Sequence, residues 1–97
     1  MSSAQQEITD AMNGRVEAFR NLHNTAHILL PEAMAMEFLE HVFPYALLRD
    51  LTPAEKALSR LSEVLHGTAP DNRTTLFRLA DAYRDALARW EKTLQPR

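Results

Sequence analysis

His23 and His27 stand four residues apart, and so do Glu37 and His41. On a helix that spacing puts both members of each pair on one face, about one turn apart. Imidazoles and carboxylates are ligand types that zinc takes. If the helices carrying them fold back about Pro31 as an antiparallel hairpin, His23 comes opposite Glu37, and a His/His/carboxylate set can form. The same spacing also arises where polar residues flank a buried seam and are satisfied by water. His23, His27, Glu37 and His41 are therefore the candidate ligands, and the sequence assigns no metal or cofactor to them.

No other group of residues points to chemistry. The serines (Ser2, Ser3, Ser59, Ser62) lie at the N-terminus or on the polar side of a helix, without a nucleophile elbow around them. Two glycines cannot build a phosphate-cradling loop, which needs several close backbone amides. The acids are spread along solvated faces instead of paired against an apolar pocket. The reading is of a protein that is not an enzyme and has no evident small-molecule substrate.

The elements that position these residues are helices. Ala, Leu, Glu and Arg dominate the 97 residues, and all four are strong helix formers. With 45% apolar and 25% charged residues, the composition is that of one folded domain, taken here as 1–97. There is no cysteine, so disulfides and thiolate metal sites are excluded. The N-terminus has neither a basic nor an apolar leader pattern, and no stretch is apolar enough to span a bilayer. A cytoplasmic protein without a membrane role is expected.

The first helix is expected from Ser3, with Gln6 as a weak capping box, to about Ile28. Its seam is Ile8, Met12, Val16, Phe19, Leu22, Ala26 and Leu30. Asn13-Gly14 is its weak point, but the seam continues in phase across it. At 1.5 Å per residue this helix is about 38 Å long, more than the width of a compact domain of this size. The domain should be elongated, or the helix should overhang.

Pro31 starts a second helix that should stop at Phe43, because Pro44 lacks an amide hydrogen and disfavours helix at the residue before it. Thr52-Pro53-Ala54-Glu55 combines an N-cap, Pro at N1 and Glu at N3. The third helix then buries Ala54, Ala57, Leu58, Leu61, Val64 and Leu65 and ends at Gly67. A fourth runs about Arg73–Leu94 behind a cap at Asp71 or Asn72. Its seam is Leu76, Leu79/Ala80, Tyr83, Ala86/Leu87, Trp90 and Leu94.

The second helix is the anomaly. Twelve of the sixteen residues from Ala33 to Leu48 are apolar, interrupted by Glu37, Glu40, His41 and Pro44. A helix apolar nearly all round must be covered nearly all round, and a chain this short has little to cover it with. The sequence therefore predicts a partner-facing surface at Met34, Phe38, Val42, Phe43, Tyr45 and Leu47. Methionine repacks readily, and large apolar anchors dominate interface energetics.

The net charge of −2 is divided unevenly. Residues 1–71 carry five basic and ten acidic side chains, and residues 72–97 carry six basic and three acidic. Arg73, Arg78, Arg84 and Arg89 on the fourth helix would steer an acidic partner.

Leu51-Thr52-Pro53-Ala54-Glu55, followed by Leu58 and Leu61, resembles the start of the DNA-binding domain of LuxR-type regulators. After Gly67, Asn72-Arg73-Thr74-Thr75-Leu76 resembles the start of a recognition helix. The resemblance implies that Arg73, Thr74, Thr75 and Arg78 meet bases or phosphates. The loop is longer than a helix-turn-helix turn, and no scanning helix lies between the two elements.

The sequence as a whole predicts an all-α, small four-helix bundle with long N- and C-terminal helices and two shorter central ones, dimeric through the second helix. Its expected function is that of a non-enzymatic protein-binding adaptor or inhibitor, such as one masking a transcription regulator or an enzyme. Its expected partners are a second copy and another protein, with nucleic acid unexpected. The alternatives are a DNA-binding transcriptional regulator using helix 73–94 and a structural subunit of a helical assembly.

Overall fold

The computed structural model describes residues 3–47 and 51–94, with side chains in the second stretch from Glu55 onward. The first helix, α1 (Ser3–Leu29), runs unbroken through Asn13-Gly14. Gly14 is exposed, so its missing side chain costs the helix intrinsic propensity and no packing. The Gln6 side chain does not close a capping box. It reaches forward to Asp10, with Nε2 donating to Oδ1 at 2.9 Å.

The second helix, α2 (Glu32–Leu47), does not stop at Phe43 but passes through Pro44. Pro44 and Glu40 are both exposed, so the carbonyl that Pro44 leaves without its helical donor is on the solvent side. On the other side Val42, Tyr45 and Ala46 are buried and hold the last turn in place. Tertiary packing overrides the local breaker here.

Helix α3 (Leu51–Val64) is followed by a turn in which Gly67 has φ of +90°, the left-handed terminator expected at that position. The amide of Thr68 donates to the Leu65 carbonyl at 3.0 Å and closes the turn. The expected side-chain cap at Thr52 and the turn through Asp50 lie outside the described residues. Helix α4 (Pro70–Thr93) starts three residues earlier than expected, with Ala69 at the N-cap and no side-chain cap. Pro70 at the first helical position presets φ, and its absent amide hydrogen is one the helix start leaves unpaired anyway.

The four helices form an all-α bundle with no strand among the described residues. Its extents are 51 × 29 × 20 Å, so it is elongated as the length of α1 requires. The backbone of the bundle is the pairing of α1 with α4, with α2 laid against both and α3 close to α2 alone. The core is one cluster. Leu22 and Ala26 of α1, Phe38, Val42 and Ala46 of α2, Leu61 of α3, and Leu76 and Ala80 of α4 are essentially inaccessible to water. Burying each large side chain stabilises the fold by roughly 1.5–3 kcal/mol. No helix among the described residues is long and apolar enough to cross a membrane.

Candidate docking face

The apolar second helix is covered by its own chain to a greater extent than its composition suggests. Phe38 is 0% exposed, and Val42 and Tyr45 are also buried. Met34 is half-buried against the core, within reach of the Thr68 hydroxyl at 3.9 Å. These four pack into the core of their own chain, where the sequence predicted an outward-facing surface. Two of the expected residues do lie outside. Phe43 is 42% and Leu47 57% exposed, and Met36 beside them is exposed as well.

A second open apolar surface is on α1, where the sequence placed a seam. Ile8, Met12 and Val16 are 36%, 39% and 41% exposed. The residues that seat α1 in this region are Ala11 and Ala18, whose short side chains point toward the bundle. The reason is geometric. Among the described residues α1 pairs chiefly with α4, where Arg15 meets Trp90, and only to a lesser extent with α2. The alternation of Ala11 and Ala18 with larger neighbours was the signal available in the sequence, since small residues mark close helix approach.

An aromatic contact joins the two exposed stretches. Phe19 stacks on Phe43 with ring centroids 5.8 Å apart and planes at 27°. Tyr83 of α4 lies beneath both, 5.6 Å from Phe19 and edge-on to Phe43 at 6.3 Å. The C-terminal end of α2 is therefore fixed one turn from Val16. At 100° per residue, Ile8, Met12 and Val16 fall within about 80° of each other, with Arg20 next in line. Glu7, Asp10 and Glu17 fall on the far side of α1, and on α2 the exposed Glu40 lies between Met36 and Phe43, so the face is apolar with both signs of charge at its margin.

The four candidate metal ligands divide between two places. His23 and His27 are exposed on α1, while Glu37 and His41 line an open notch of about 370 Å³ with Arg60, Glu63 and Val64. Glu37 faces α3 instead of His23, and the expected His/His/carboxylate set does not form. Among the described residues no three His, Asp or Glu side chains come together to hold an ion.

The four arginines of α4 differ in availability. Arg78 and Arg89 are exposed, and Arg73 is half-buried. Arg84 lies over the Tyr45 ring, 4.8 Å from its centroid. One cation missed from the sequence is Arg15, which sits 5.4 Å over the Trp90 ring with its Nε buried and without an acceptor. The helix pair that resembled a DNA-binding unit is arranged differently from a helix-turn-helix, because α3 approaches α2 and not α4.

No protein-family model matches this chain, and no curated protein or solved structure matches it.

Proposed function

We propose that this chain is a non-enzymatic protein-binding regulator, an adaptor or inhibitor that docks another protein on the face formed by α1 and the end of α2. One observation supports this reading above the others. Ile8, Met12 and Val16 form an exposed apolar line that the Phe19–Phe43 stack joins to Phe43 and Leu47. Contiguous exposed apolar surface rimmed by polar residues marks interaction sites in soluble proteins. Anchors of this kind supply most of the binding energy of an interface.

The test is a double variant, Met12→Glu with Val16→Glu, at two positions exposed enough to keep the fold. Circular dichroism checks that helicity is retained. Tagged wild type and variant are used to capture partners from host lysate, and any captured protein is then titrated in purified form. Sedimentation over a range of concentrations reads self-association in parallel. The reading predicts a stoichiometric partner that binds wild type at least tenfold tighter than the variant. Equal behaviour of the two proteins in both measurements overturns it.

A further inference from the structure

His23 and His27 project from the exposed side of α1, and their ring centroids are 4.5 Å apart with planes at 49°. Two imidazoles bound to one ion through bonds of about 2.0–2.1 Å, at an angle between right and tetrahedral, place their ring centres about 4.5–5 Å apart. The rings already stand at that spacing. His23 has two further neighbours. Its ring lies 5.8 Å from that of Phe19, which is itself packed on Phe43 and Tyr83. Its Nδ1 lies 3.4 Å from Asn24 Oδ1. An Nδ1–H donated to that oxygen leaves the Nε2 lone pair free, and a held second nitrogen is the usual companion of a ligating histidine.

We propose that His23 and His27 form a two-ligand site for a divalent imidazole-seeking metal ion, Cu²⁺ in preference to Zn²⁺. Water fills the remaining coordination positions. The order follows from the affinities of nitrogen ligands for first-row metals, and hard oxygen-seeking ions such as Mg²⁺ are not bound. The spacing of four already brings the two rings together on one turn of α1, so binding needs no change of backbone. The ion clips one turn of α1 and stabilises the folded state, since the unfolded chain does not hold the pair at this spacing. The site rests on its own geometry and stands independently of the docking reading.

The experiment titrates the full-length, tag-free chain with CuCl₂ and then, separately, with ZnCl₂ and MgCl₂. Visible absorption reads coordination, and thermal melting reads stability. The expected result is one Cu²⁺ per chain with a nitrogen-ligated absorption band. The melting temperature should rise by about 5–10 °C at a metal concentration tenfold above the dissociation constant. His23→Ala and His27→Ala should each weaken binding at least tenfold, while His41→Ala and His66→Ala leave it unchanged. Both site variants alter exposed side chains, so their helicity serves as the folding control. The proposal is overturned if wild type binds no Cu²⁺, if His23→Ala and His27→Ala bind as tightly as wild type, or if His41→Ala or His66→Ala weakens binding equally.

Discussion

The hydroxyl of Tyr45 on α2 donates a hydrogen bond to a carboxylate oxygen of Asp81 on α4, while Arg84, one turn further on, covers the ring. This polar contact ties α2 to α4 beside an apolar core. Burial raises the tyrosine's proton affinity above its ordinary value, the bond to Asp81 adds to the effect, and Arg84 opposes it. Tyr83 is shifted the same way by burial, with Arg15 opposing. A group whose folded pKa is raised leaves stability intact below its unfolded pKa and withdraws it as pH rises through the folded value. The bundle should therefore hold its stability up to about pH 10 and lose it above. Tyr45→Phe should cost about 1 kcal/mol at neutral pH and flatten part of the alkaline loss. Urea melts at pH 7 and in steps above pH 10 measure both effects.

Phe38 and Phe43 lie five residues apart on one helix, and replacing them should have very different consequences for folding. Phe38→Ala removes a wholly buried ring and should destabilise by about 3–5 kcal/mol, a large share of the stability of a chain this small. Phe43→Ala removes a half-exposed ring and its stacking on Phe19, and should cost about 1 kcal/mol. Thermal melts followed by circular dichroism distinguish the two. Equal losses would show that α2 is seated differently from this arrangement.

The two glycines should respond with opposite sign. Neither position has an atom within 4 Å of an added Cβ, so conformation alone decides. Gly14 is in a helix, and Gly14→Ala should stabilise by about 1 kcal/mol. Gly67 has a positive φ, and Gly67→Ala should destabilise by about 1–2 kcal/mol. Denaturant midpoints of the two variants against wild type measure the difference.

These residues also mark how far sequence reasoning reaches. Gly67 acts through the local backbone, and its role as terminator was legible from residue type alone, while Pro31, expected as the first residue of α2, stands just before it. Pro44 was misjudged because its local cost is outweighed by Val42, Tyr45 and Ala46 on the buried side. The aim of the N-terminal half of α1 was misread for a related reason. Periodicity finds an apolar stripe but not how many helices cover it, and Ile8, Met12 and Val16 stand exposed. The histidine and glutamate pairs were visible as pairs. Which side of α2 meets α1 and which meets α3 depends on packing that the spacing of four does not encode.

The lone attachment of α3 makes stability uneven along the chain. Helices with one neighbour open more readily than those with two or three, and opening exposes their amide hydrogens to solvent. Amide hydrogens of α3 should therefore exchange for deuterium ahead of those in the α1–α4 pair, in a cooperative step that leaves the pair folded. That partly opened form presents Ala57, Leu61 and Leu65, which are buried in the closed bundle.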